Sequence, residues 1–156
     1  DFSGNILVVC GDMPLIKSQT LVDLVEKHRE KKSACTVLTL KSSEKKDFGL
    51  VIRDEKGLVS KIVEHKDASE EQKKVDEFNS GVYCFDKYLF SKALGGISNN
   101  NIQKEYYLTD TIEYMVNNGF LVESLQITDN TQLLGINTQE DLSLAEKILM
   151  GETRSS

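Results

Sequence analysis

Ile6-Leu7-Val8-Val9-Cys10 runs directly into Gly11-Asp12-Met13-Pro14-Leu15, and this stretch decides the fold class. Five consecutive apolar residues, mostly β-branched, read as a strand buried on both faces, as in a parallel sheet covered by helices. Such a strand delivers its chain to the carboxyl edge of the sheet, where open α/β folds hold ligands. Gly11 permits a tight turn there, and Pro14 with Leu15 starts a segment heading toward a helix. Asp12 then has two readings of equal standing. It meets a hard cation or a phosphate-bearing substrate, or it only caps the following helix.

Outward from this stretch, strand and helix patterns alternate. Leu21, Leu24, Val25 and His28 recur at helical spacing after a start near Ser18 or Thr20, and His28 reads as a packed or half-exposed histidine rather than a ligand. Ala34 to Leu40 reads as a strand, and Lys41 to Asp47 as a charged loop. Leu50 to Arg53 and Leu58 to Glu64 form a hairpin turning at Gly57. Ser69 to Glu77 reads as a solvated loop or short helix, Phe78 to Phe85 as a strand, and Tyr88 to Leu94 as a short helix. Thr109 opens a helix closed by Asn118-Gly119, Phe120 to Ile127 is a strand, and Thr138 with Asp141 makes a capping box for a last helix. The pattern is α/β with a small antiparallel insert.

Bulk properties narrow the function. At 156 residues with a net charge of −6, the chain is one soluble domain and lacks the basic face that nucleic acid requires. No apolar run approaches a membrane span. The three cysteines, Cys10, Cys35 and Cys84, sit in apolar stretches and read as buried free thiols in a reducing, cytoplasmic setting. With the histidines they lack the spacing of a zinc or thiol enzyme. The opening strand begins within about five residues of Asp1 and has no upstream neighbours to cover it, so the chain is expected to be a piece of a longer protein.

Four polar clusters lie at the ends of core elements: Glu64-His65-Lys66-Asp67, Asn79-Ser80-Gly81, Glu105-Tyr106-Tyr107-Leu108-Thr109-Asp110, and Gly135-Ile136-Asn137. Singly they are salt links, bulges, caps or turns. Together they resemble the polar lining of a sugar- or phosphate-binding crevice.

In this order, Gly11-Asp12-Met13-Pro14-Leu15, Phe48-Gly49, Val63-Glu64-His65-Lys66-Asp67-Ala68, Asn79-Ser80-Gly81, Asn99-Asn100-Asn101, Glu105 to Asp110 and Gly135-Ile136-Asn137 form a recognisable series. It resembles the uridyltransferase domain of bacterial bifunctional N-acetylglucosamine-1-phosphate uridyltransferase/glucosamine-1-phosphate acetyltransferases. The resemblance runs from about Asn5 to Met150. It implies a Rossmann-like nucleotide-diphospho-sugar transferase fold, with a mixed, mostly parallel sheet and a β-hairpin insert. It further implies a partial sugar-nucleotidyltransferase domain over residues 1–150, followed by a frayed tail over 151–156.

The implied activity is that of a UDP-N-acetylglucosamine pyrophosphorylase making a cell-wall precursor: UMP passes from UTP to N-acetylglucosamine 1-phosphate and pyrophosphate leaves. Asp12 and Asn137 would be catalytic by binding Mg²⁺, while Gly49, Glu64, Asn79, Tyr107 and Thr109 would hold the sugar phosphate. Small-molecule substrates are the implied partners, without nucleic acid or membrane. The family's glycine-rich nucleotide loop and its acetyltransferase domain, through which a parent would oligomerise, have no counterpart here. The chain alone is therefore expected to have little or no activity. Leu50, Phe48 and Lys104 stand where that family usually carries arginine, tyrosine and glycine. Two rival readings stay open: a relative acting on another sugar phosphate or nucleotide, and a non-catalytic binding module.

Overall fold

The computed structural model describes residues 3–42 and 48–151. The strands are β1 (Asn5–Val8), β2 (Cys35–Lys41), β3 (Leu50–Arg53), β4 (Val59–Val63), β5 (Glu77–Asp86) and β6 (Val122–Ile127). The helices are α1 (Ser18–Lys31), α2 (Lys87–Leu94), α3 (Asp110–Asn117) and α4 (Gln139–Leu149), with 3-10 turns at Gln72–Lys74 and Asn130–Leu133. Residues 43–47 of the charged loop and 152–156 of the tail lie outside the described residues.

One sheet runs β4-β3-β5-β2-β6, and β1 joins it beside β5. Period-two alternation divides the core between its faces. On one side Tyr83, Phe85, Val37 and Cys35 pack with Ile112 and Met115 of α3 and Ala93 of α2. On the other, Val82, Cys84, Leu38 and Leu40 pack with Leu24 of α1. The α/β class therefore stands, and similar apolar layers enclose the sheet above and below.

The sheet is not mostly parallel. Among its described pairings β2 with β6 is parallel, whereas β1 with β5, β2 with β5, β3 with β4 and β3 with β5 are antiparallel. The reason is placement. β5 inserts between β1 and β2, so two strands that run the same way touch only through one that runs against both. β4 then returns on β3 as a hairpin through a turn whose Gly57 has φ +78°, a left-handed conformation that favours glycine.

Three further expectations fail for related reasons. Ile6 to Cys10 is not buried on both faces, because β1 lies at the sheet's rim with Leu7 40% and Val9 37% exposed. Cys10 is exposed too, so the reading of buried thiols holds for Cys35 and Cys84 alone. Glu77, read as the end of a solvated stretch, is 3% exposed and belongs to β5. Its carboxylate accepts from Arg53 Nε (2.8 Å) and Nη2 (2.6 Å) and from Thr39 Oγ1 (2.8 Å). That bidentate pair, closed by Arg53 to the Gly57 carbonyl and Ser124 Oγ, ties β2, β3, β5 and β6 together.

His28 is 3% exposed, and its Nδ1 lies 3.2 Å from both Thr36 Oγ1 and Ser33 Oγ. It is a packed core histidine, as its position on the α1 stripe implies. Neither Ser18 nor Thr20 caps α1: Lys17 is its N-cap, without a side-chain bond, and Thr20 Oγ1 donates to Gln132 Oε1 (2.7 Å). Asp12 is well ahead of this helix start, so the capping reading of Asp12 falls.

Candidate active site

The site forms at a gap in the sheet. On one side of β5, β1 pairs with Tyr83 through Asp86, and β3 pairs with Phe78. Between them, residues 80–82 have no strand alongside. The chain leaves β1 through Cys10-Gly11-Asp12 and enters β3 through Phe48-Gly49, so both segments meet at Asn79-Ser80-Gly81. On its other side β5 bulges: Val37 pairs with Tyr83 but Thr39 pairs with Asn79, so β5 carries extra residues opposite Leu38. Gly81, at φ +80°, supplies the turn within that bulge, and an added Cβ would come 3.0 Å from Cys10 Sγ.

A cavity of about 560 Å³ opens at this gap. Asp12, Gly49, Glu64, Asn79 and Asn137 all line it, with Met13, Leu40 and Leu133 as apolar floor. Five of the seven residues singled out from the sequence are thus brought to one place from five separate segments.

Asp12 and Asn137 converge. A Cβ built on Gly135 would lie 3.4 Å from Asp12 Oδ2 and 3.5 Å from Asn137 Nδ2, so both side chains flank one small cradle. The Ile136 N–H donates to the Asp12 carbonyl (2.9 Å) and locks the two segments together. Asn137 immediately precedes the capping box of α4, in which Thr138 Oγ1 accepts from the Asp141 N–H and Asp141 accepts from Thr138. Asp141 Oδ2 also accepts from the Asn137 N–H (3.1 Å), and this bond with those to Thr138 holds the Asp141 carboxyl below its ordinary range. Asp12 and Asn137 are the pair that could hold a divalent cation. Among the described residues no group of three or more His, Cys, Asp or Glu is placed to do so.

Gly49 brings the other half together. A Cβ there would lie 2.8 Å from Ile62 Cγ2, 3.5 Å from Glu64 Oε1 and 3.6 Å from Asn79 Cβ. Its carbonyl accepts from the Asn79 N–H (2.8 Å). Thr109 lies behind this wall rather than on it: it is 4% exposed, and its Oγ1 donates to Glu64 Oε1 (2.9 Å). Tyr107 faces a neighbouring polar cavity of about 450 Å³, which Glu64 shares with Asp67, Asp110 and Glu113. Desolvation and then Glu113, Glu64 and Asp67 raise the Asp110 carboxyl, as expected where carboxylates crowd.

The loop between α2 and α3 is shaped by Asn101, whose Oδ1 accepts from the Glu105 N–H and whose Nδ2 donates to the Glu105 carbonyl. Lys104 sits at φ +59°, a left-handed conformation. This accounts for the usual glycine at that position in the family the sequence resembles.

Sequence reasoning missed three contributors. Gly135 forms the cradle, Cys10 lines the cavity with its thiol pushed up by burial and by Asp12, and Tyr83 bonds to Asn79. Gly135 belongs to the Gly135-Ile136-Asn137 motif, but nothing in the motif itself shows that it lies against Asp12. Tyr83 carried no signal beyond its place in an apolar strand.

The nucleotidyl transferase family model matches residues 1–131. The bifunctional protein GlmU of Acetivibrio thermocellus is 42% identical over 149 residues, 96% of this chain and 32% of that protein. GlmU of Bacillus cereus strain G9842 is 43% identical over 146 residues, 94% of this chain and 32% of its own length. The chain thus spans about a third of the length of the curated relatives it matches. Among solved structures, a nucleoside-diphosphate-sugar pyrophosphorylase from Vibrio cholerae RC9 superposes with a TM-score of 0.66 at 14% identity, over 92% of this chain and 56% of that one. A 4-diphosphocytidyl-2C-methyl-D-erythritol synthase from Anaerococcus prevotii does so with 0.59 at 18% identity, over 94% and 58%. These two likenesses speak for the fold. With the family match extending over most of its length, this chain belongs to the nucleotidyl transferase family.

Proposed function

We propose that this chain is the sugar- and metal-binding part of a nucleotidyltransferase that transfers UMP from UTP to N-acetylglucosamine 1-phosphate, giving UDP-N-acetylglucosamine and pyrophosphate. The observation that carries the reading is the convergence of Asp12 and Asn137 on one cradle at the mouth of a cavity walled by Gly49, Glu64 and Asn79. The similarity to GlmU proteins supports the choice of substrates.

The cradle suits Mg²⁺, which favours one or two protein oxygens and leaves its remaining positions to waters and phosphates. Asp12 Oδ2 would hold it together with the Asn137 amide oxygen, which requires that amide to turn its oxygen, rather than the Nδ2 that lies 3.5 Å from the Gly135 Cβ position, toward the ion. When bound, Mg²⁺ supplies charge neutralisation for the phosphates. The protein's own part is positioning. Glu64 and Asn79 hydrogen-bond the sugar, and the missing side chain of Gly49 lets these two residues pack closely on one wall. They aim a phosphate oxygen of the sugar phosphate at the α-phosphorus of UTP. The new P–O bond forms as the bond to pyrophosphate breaks, so no covalent enzyme intermediate is needed. A cytoplasmic setting belongs to the same reading, since the substrates are intracellular metabolites. Among the described residues no helix is long and apolar enough to cross a membrane.

The test is pyrophosphate release by the intact natural protein, offered a panel of sugar phosphates and nucleoside triphosphates. N-acetylglucosamine 1-phosphate with UTP is expected to be the preferred pair. Asp12→Asn is expected to lower turnover roughly a hundredfold or more while the fold survives. Preference for another pair would reassign the substrates, and full activity in Asp12→Asn would remove the metal assignment.

A further inference from the structure

Tyr83 occupies a core position where a phenylalanine would satisfy packing. It is 2% exposed, and its ring stacks on Phe85 with centroids 5.3 Å apart, within the cluster that joins β5 to α3. A hydroxyl in such a place is unfavourable unless it is bonded. Its partner is Asn79, whose Nδ2 donates to the Tyr83 hydroxyl at 2.7 Å. The other side of the same amide is also set, because Asn79 Oδ1 accepts from the Gly81 N–H at 3.0 Å. A backbone N–H can only donate, so the oxygen must face Gly81 and the NH₂ must face Tyr83. One N–H and one lone pair of Asn79 then remain for the cavity that the residue lines.

We infer that Tyr83 is a positioning residue for sugar-phosphate recognition, its buried hydroxyl fixing which hydrogen-bonding groups Asn79 presents to the pocket. The inference rests on the proposed function, in which Asn79 contacts the sugar phosphate. The bulge makes the arrangement possible. Residues four apart on a regular strand share a face but lie about 13 Å from each other; the bulge, turning at Gly81 (φ +80°), shortens that span so that Asn79 Nδ2 reaches the Tyr83 hydroxyl. Removing the hydroxyl frees one of the amide's two ties and lets the side chain swing toward orientations that match the substrate less well.

The experiment compares Tyr83→Phe with the unmutated intact protein. Phenylalanine keeps the ring and its stack. KM for N-acetylglucosamine 1-phosphate is expected to rise about fivefold, with kcat and KM for UTP unchanged, since one neutral hydrogen bond is worth about that factor. A second arm places Tyr83→Phe in an Asn79→Ala background, where its effect on KM is expected to vanish, because the residue acts through an amide no longer present. Thermal unfolding of each variant is followed in parallel. An unchanged KM in Tyr83→Phe, an equal rise for both substrates, or a full effect persisting without Asn79 would overturn the inference. Absence of turnover in the unmutated protein would instead overturn the functional reading, and this inference with it.

Discussion

Single residues do unequal work in this pocket. Glycines matter by leaving room: Gly49 lets Glu64 and Asn79 meet across it, and Gly135 leaves the cradle between Asp12 and Asn137 open. Gly135→Ala separates fold from function. The new Cβ would find ordinary contacts of 3.4 Å to Asp12 Oδ2 and 3.5 Å to Asn137 Nδ2, so no backbone has to move. On the proposed metal reading, the added methyl intrudes between the two side chains that would hold the cation. Thermal stability is expected to stay within about 0.5 kcal/mol. The Mg²⁺ concentration for half-maximal activity is expected to rise tenfold or more, about 1.4 kcal/mol, in a metal titration. Residues behind the pocket wall matter by direction, as Thr109 does toward Glu64.

At the scale of elements, α4 shows how local sequence positions a distant group. Its capping box closes between Thr138 and Asp141, and the same Asp141 carboxylate accepts from the Asn137 N–H. Ala145 is its one buried residue, while Leu142 and Leu149 are 38% and 69% exposed. With so little burial the cap carries an unusual share of the helix's stability. Thr138→Ala is expected to destabilise by about 1 kcal/mol in urea unfolding, and to fray α4 in hydrogen exchange before the sheet opens. The hairpin of β3 and β4 is the opposite case. Its turn is written in Asp54-Glu55-Lys56-Gly57, whose Asp54 Oδ1 accepts from the Lys56 and Leu58 N–H groups.

Across the whole molecule, Arg53 and Glu77 join strands that no local pattern connects. Breaking that pair by Arg53→Met strands a buried carboxylate. The expected loss is about 2 kcal/mol, below the range for fully buried pairs because Arg53 is a third exposed. Chemical denaturation measures it. Two groups in the interior contribute to the response to acid. Burial lowers the affinity of His28 for a proton, against a smaller opposite pull from Asp86. The unfolded chain therefore binds that proton more readily, and stability is expected to fall as pH drops below about 6.5. Burial pushes Glu77 up, but its bonds to Arg53 and Thr39 outweigh this and leave its carboxyl lowered. Its contribution is present above about pH 4.3 and is lost as pH falls through the lower folded value. A plot of Tm against pH should show both declines, and His28→Gln should flatten the one nearer neutrality.

Much of this was open to reading in one dimension. Elements such as the Thr138 cap, the Gly57 turn and the alternation along Phe78 to Phe85 depend on residues within a few positions of each other, so short-range pattern reveals them. The resemblance that the short motifs carry also named Asp12, Gly49, Glu64, Asn79, Tyr107, Thr109 and Asn137 as a group, and all but Tyr107 and Thr109 line the one cavity. By itself, then, the sequence determined the α/β class and most helix and strand positions, and it named five of the residues that line the cavity. Tertiary structure alone decided that β5 would insert between β1 and β2, that Cys10 would be exposed and Glu77 buried, and that the pocket would open at a strand gap. It alone set Tyr83 against Asn79 and Thr109 against Glu64. These outcomes turn on strand pairing and on hydrogen bonds between separate segments, whose partners are chosen by mutual burial rather than by neighbours along the chain.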